Sequence, residues 1–116
     1  MLNQIEFEYE GEKFTGIVNM LTFRWISEHY NTGIESIGQL IQESDKKLEV
    51  LVSLLFFSVK AHYRKNGKID QFQYEIEDAY EWAEFVDMDE MVEAMSNVTF
   101  FKKKAQKAKL EKKRSQ

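Results

Sequence analysis

Two histidines, a block of ten carboxylates and a lysine-rich C-terminal run are the residues of this 116-residue chain whose chemistry invites a function. His29 and His62 have no His or Cys companions at ligand spacing, and the chain contains no cysteine. A Cys-based zinc site, a disulfide and a thiolate nucleophile are all excluded, and a metal site at either histidine needs carboxylates delivered by the fold. Between Asp70 and Glu93 stand ten acidic residues and not one Lys or Arg. Two of them would serve as acid and base on a glycosidic bond only if the fold desolvated one in a cleft. A chain this short has little room for that, so the run reads as a solvated helix face able to steer basic partners. The five glycines are scattered and cradle no phosphate, and no serine sits in a nucleophile elbow. The expectation is a binding protein, not an enzyme, with no catalytic residue, cofactor or metal.

The net charge of −4 conceals a division. Residues 1–101 carry 8 Lys/Arg against 19 Asp/Glu, a balance of −11, whereas residues 102–116 carry 8 basic residues against Glu111 alone, a balance of +7. Candidate partner-binding residues lie on both sides of that division. In the tail they are Lys102, Lys103, Lys104, Lys107, Lys109, Lys112, Lys113 and Arg114, preceded by Phe100 and Phe101; on the acidic run they are Glu77, Glu81 and Glu84. Two adjacent Phe cannot both face one core from a helix, which leaves one either exposed or anchoring a partner. A small regulatory or adaptor protein binding nucleic acid through this tail is the alternative reading, and counterion release would make such binding steeply salt-dependent. The acidic body repels a polyanion, however, and no stacking aromatic lies beyond Lys102. An acidic protein surface, or simple solubilisation, suits the tail better. Another copy of the chain qualifies, with Asp70–Glu93 of one copy meeting Lys102–Arg114 of the next in a homo-oligomer.

The elements that position these residues are read from periodicity. Ile5, Phe7 and Tyr9 alternate with glutamates, Glu10-Gly11-Glu12-Lys13 supplies a turn, and Phe14, Gly16 and Val18 alternate again, so 4–18 reads as a β-hairpin. Such a hairpin is marginal alone and must pack on the helices after it. Met20, Phe23 and Ile26 suit a helix capped by Asn19 or Thr22 and stopped near Gly33. Ile34, Ile37, Leu40 and Ile41 mark a short second helix. Ser44-Asp45 offers a cap for a central helix, Leu48 to Tyr63, which is apolar nearly all round and ends at Asn66-Gly67. Asp70 is the expected cap of a fourth helix with Ile76, Ala79, Tyr80 and Ala83 as its stripe. Asp87 and Glu90 form the expected capping box of a fifth that buries Met91, Val92, Met95 and Val98. Trp25, Trp82, Phe56 and Phe57 read as core or interface aromatics.

The fold class is therefore mainly α (α+β), an N-terminal β-hairpin packed on a bundle of about five helices. One domain spans 1–101, and the basic tail 102–116 is either a helical extension or disordered. The longest apolar stretch, Val50 to Val59, is far short of the roughly 20 residues of a membrane span. No signal peptide opens the chain, and a cytoplasmic location without membrane contact is expected.

The order and texture of these segments resemble the tail assembly chaperones of long-tailed bacteriophages and prophages. The likeness runs over residues 4–100. It begins with the hairpin Ile5-Glu6-Phe7-Glu8-Tyr9-Glu10-Gly11-Glu12-Lys13-Phe14, followed by the aromatic helix Leu21-Thr22-Phe23-Arg24-Trp25-Ile26 and Asn31-Thr32-Gly33. The short Ile34 to Ile41 segment comes next, then Leu48-Glu49-Val50-Leu51-Val52-Ser53-Leu54-Leu55-Phe56, and last Tyr80-Glu81-Trp82-Ala83-Glu84-Phe85-Val86-Asp87. The resemblance implies a protein of the bacterial host cytoplasm that binds the tape-measure protein, helps recruit tail-tube subunits during tail morphogenesis, and is absent from the mature virion. It also implies a longer frameshifted product, and the Lys102-Lys103-Lys104 codons are where a slippery site would fall. The strongly basic tail has no counterpart in the resemblance.

Overall fold

The computed structural model describes residues 3–42 and 45–96. Strands β1 (Gln4–Tyr9) and β2 (Glu12–Ile17) pair antiparallel, with Phe7 opposite Phe14 and Tyr9 opposite Glu12. The turn is confined to Glu10 and Gly11, both at positive φ (52° and 79°), the two-residue hairpin geometry whose twist matches that of the strands. Glu12 and Lys13, expected within the turn, belong to β2 because such a turn needs only two residues. Ile5, Phe7, Phe14, Gly16 and Val18 are buried as the alternation requires. Five helices follow: α1 (Met20–His29), α2 (Ile37–Gln42), α3 (Lys47–Lys65), α4 (Ile76–Trp82) and α5 (Met88–Ser96). The protein is mainly helical, with the hairpin laid against α3 and α5.

Side chains at the helix ends explain most boundaries. The Asn19 side chain accepts from the Thr22 amide, and the Thr22 hydroxyl lies within reach of the Asn19 amide, a reciprocal capping box that starts α1. Thr22 Oγ1 also donates to the Ile17 carbonyl at 2.9 Å, which ties the end of β2 to the helix. The stop expected near Gly33 lies earlier. Asn31 takes the left-handed conformation (φ 52°), with Thr32 N donating to Ser27 O and Asn31 N to Glu28 O, the Schellman pattern. Asparagine tolerates this region better than most side chains and so ended the helix before the glycine was reached. At the end of α3, Gly67 (φ 69°) plays the same part, with Lys68 N on Tyr63 O and Gly67 N on Arg64 O.

Two expected N-caps need correction, and a third bonds differently from the expected box. Lys46, not Asp45, precedes α3, and its side chain makes no capping bond, while Ser44 lies outside the described residues. Asp70 falls in a 3-10 turn (Ile69–Gln71), after which residues 72–75 run without helix or strand and Glu75 caps α4 with Asp78 completing the box. Asp87 does cap α5, but through Oδ1 accepting from the Asp89 amide at 2.9 Å.

One core joins all of these. Phe23 and Ile26 of α1, Ile37 and Ile41 of α2, Val50 to Leu55 of α3, Ala79 and Trp82 of α4, and Met91, Ala94 and Met95 of α5 meet the hairpin's inner face. The all-round apolar reading of α3 holds from Val50 to Val59, but Leu48 is 62% exposed. On α4 the expected stripe is wrong in its outer member. Tyr80 stands 47% exposed and Trp82 is 1% exposed, so the helix turns Ala79 and Trp82 inward. Val98 lies outside the described residues.

Candidate functional site

Of the residues singled out for partner binding, Glu77 and Glu81 lie on α4 and Glu84 on the 3-10 turn that follows it (Ala83–Phe85), all exposed. Phe100, Phe101 and the basic residues from Lys102 to Arg114 lie outside the described residues. The acidic run is not a single helix face. It passes along the Ile69–Gln71 turn, the 72–75 segment, α4, the Ala83–Phe85 turn and α5, and each of its carboxylates is exposed except the half-buried Asp78. Two aromatics break this acidic surface: Tyr80 and Phe85, the latter 57% exposed.

The hairpin and α4 build a cleft between them. Phe7 stacks on Phe14 with ring centroids 5.2 Å apart and an interplanar angle of 11°. Trp82 lies 5.1 Å from Phe14 and 5.2 Å from Tyr74, and Tyr74 meets Phe14 edge-on at 5.6 Å. Tyr9 reaches across the hairpin end to donate its hydroxyl to Glu81 Oε2, while its ring meets Phe85 edge-on at 5.6 Å. The resulting cleft, about 310 Å³, is walled by Tyr9, Phe14, Tyr74 and Trp82 and rimmed by Glu10, Glu12, Asp78 and Glu81. Among the described residues, no cationic side chain lines it.

The electrostatics of its two tyrosines follow from these neighbours. The hydrogen bond to Glu81 pushes the Tyr9 phenol up to about 12, with the charges of Glu10 and Glu81 acting in the same direction. Burial pushes Tyr74 up to about 12, aided by the Tyr63 hydroxyl and by the charges of Glu12 and Asp78. Negative field therefore reaches the cleft walls from both sides. Glu10, Glu12 and Glu81 stand in solvent and Asp78 accepts from the Glu75 amide at the start of α4. Carboxylates so placed suit binding more directly than acid–base chemistry.

The histidines lie elsewhere. His29 packs edge-on against Tyr30 and Phe57. His62 approaches Asn66 Nδ2 at 3.1 Å, and burial, then the Lys65 and Lys68 charges, hold it below the ordinary imidazole range. Among the described residues no three His, Asp or Glu side chains gather closely enough to hold a metal ion. A second cleft of about 220 Å³, lined by Lys13, His62, Tyr63 and Lys68 among others, mixes cations with aromatics. No helix among the described residues is long and apolar enough to cross a membrane.

Sequence reasoning named Glu81 and Trp82 but not the cleft they share with Tyr9, Glu10, Glu12 and Tyr74. The only sequence signal was the alternation of aromatic and acidic residues in both segments, which does not say that the two meet. Comparison of the chain with protein-family models, curated proteins and solved structures returns no match.

Proposed function

We propose that this protein is a phage tail assembly chaperone that acts by non-covalent binding. It covers segments of the tape-measure protein, helps bring tail-tube subunits to it in the bacterial cytoplasm, and leaves before the virion is complete. The observation that carries the reading is the exposure of Tyr80 and Phe85 on an otherwise acidic surface made by α4 and the turn after it. Exposed aromatics ringed by charge are the usual make-up of a protein-binding patch, where large rings supply contact area and the charges set orientation. A further support is the packing of an N-terminal hairpin on a helical bundle, the architecture that the segment order led us to expect.

Co-expression with the tape-measure protein encoded nearby tests the proposal. The chaperone reading expects the tape-measure protein to stay in the soluble fraction and to co-purify with this chain. Replacing Tyr80 and Phe85 together by serine should weaken that association at least about tenfold, since two exposed anchors are removed without touching the core. Co-purification unchanged in the double variant, or a tape-measure protein equally soluble without this chain, overturns the reading.

A further inference from the structure

The cleft between the hairpin end and α4 has a composition with a chemical meaning. Tyr9 and Tyr74, the half-buried aromatics of the wall, offer ring surface and apolar contact over the buried Phe14 and Trp82, and four carboxylates at the rim supply charge with no cation among the described lining residues to neutralise them. A lysine or arginine side chain satisfies both, laying its aliphatic stem on the rings and its charged head among the carboxylates. The same fold already shows the aromatic half of that contact, with Lys60 Nζ 4.8 Å from the Trp25 ring centroid. The carboxylates do not converge as a metal-binding group among the described residues, so an extended organic cation fits the rim better than a metal ion. Carboxylate charges add to the raised phenols of Tyr9 and Tyr74, after the Glu81 hydrogen bond for the first and burial for the second.

We propose that this cleft binds a Lys or Arg side chain from residues 102–114 of the same chain, folded back onto the body. The charges match, since the tail carries a balance of +7 and residues 1–101 carry −11. Reach allows it. The 18 residues from Asn97 to Arg114 span up to about 60 Å when extended, well beyond the roughly 30 Å across a compact body of about ninety residues. Tethering decides between this tail and that of a second copy. A short linker holds the tail at an effective concentration on the order of millimolar, well above that of free chains at micromolar concentration. Intramolecular docking therefore takes precedence over the head-to-tail contact that the charge division first suggests. It stands independently of the chaperone reading.

The absence of cysteine from the 116 residues allows a clean test on the whole of this chain. A nitroxide attached to an S115C variant broadens the amide signals of whatever it approaches in a 15N-labelled sample. The expected result is signal loss at Glu10 to Glu12 and at Tyr74 to Asp78, unchanged on dilution and reversed by high salt, which screens the contact. An E10Q/E12Q variant, altered only at exposed positions, should lose the broadening while keeping its other amide shifts, which shows that it remains folded. A mixture of spin-labelled chain at natural nitrogen abundance with 15N chain lacking the nitroxide should show none. Broadening in that mixture assigns the contact to a second copy and overturns the proposal. Broadening at other sites, no broadening at all, or broadening that persists in E10Q/E12Q overturns it equally.

Discussion

Gly16→Ala is the sharpest perturbation of the contact between hairpin and helix bundle. Gly16 lies on β2 directly over α3, where an added Cβ falls inside van der Waals contact of Ser58 Oγ, 3.1 Å from Ser58 Cβ and 3.4 Å from its carbonyl carbon. Ser58 is fully buried, and its hydroxyl donates to the Leu55 carbonyl at 2.8 Å. Relief requires either that β2 lift from α3 or that the hydroxyl leave its partner. Overpacking of a tight core costs about 1–3 kcal/mol, and losing the Ser58 hydrogen bond adds about 1 kcal/mol. The expected loss is roughly 2–4 kcal/mol, a large share of the roughly 5–15 kcal/mol available to a domain of this size. Urea unfolding followed by circular dichroism measures it, and a double-mutant cycle with Ser58→Ala identifies the cause. The alanine at 58 removes the hydroxyl that the new methyl strikes, so the double variant should recover at least about 1 kcal/mol relative to the sum of the single changes. A Gly16→Ala variant within about 0.5 kcal/mol of the parent, or strict additivity with Ser58→Ala, refutes this account of the contact.

Trp82→Ala should destabilise the fold by about 3–5 kcal/mol, because the indole is 1% exposed and packs on Phe7, Phe14 and Tyr74. Tyr80→Ala on the same helix, where the ring is 47% exposed, should cost under about 1 kcal/mol, and equal losses in the two variants would show that the inward face has been misassigned. In alkaline titrations followed by phenolate absorbance, Tyr9 and Tyr74 should ionise near 12, later than an ordinary tyrosine. Glu81→Gln should bring Tyr9 back toward its ordinary value and leave Tyr74 in place, because the Glu81 hydrogen bond is the largest cause only for Tyr9. Both phenols are raised in the folded state, so their contribution is fully present below about pH 10 and is lost as pH rises toward about 12. Five tyrosines titrating together near the ordinary value would contradict this.

Features governed by neighbours in the chain were legible in the sequence. Ile5, Phe7 and Tyr9 alternate with glutamates, and a strand with one buried face resulted. Asn66-Gly67 ends α3 because glycine takes positive φ without a Cβ clash. Asn19, Thr22 and Asp87 cap helices because an oxygen near the chain meets an orphan amide within a few residues. Misreadings arose where two local signals competed. Asn31 and Gly33 both end helices, and the first to be reached prevailed. Asp70 is the expected cap of α4, but it lies in a 3-10 turn and the helix starts after Glu75, whose amide donates to Asp78 three residues on.

What the sequence alone determined is the division into an alternating acidic hairpin, a central apolar helix, short flanking helices and a basic terminal run. Only the tertiary structure decided which side chains face one another across those elements. A helix of seven residues makes barely two turns, too few for periodicity to choose between Tyr80 and Trp82, and the choice fell to the aromatic wall of the hairpin. The Gly16–Ser58 approach and the Tyr9–Glu81 bond join positions 42 and 72 residues apart, and no local pattern encodes such pairs. The cleft shares that origin. Its aromatic wall and acidic rim come from two segments whose meeting is set by how both pack on α3.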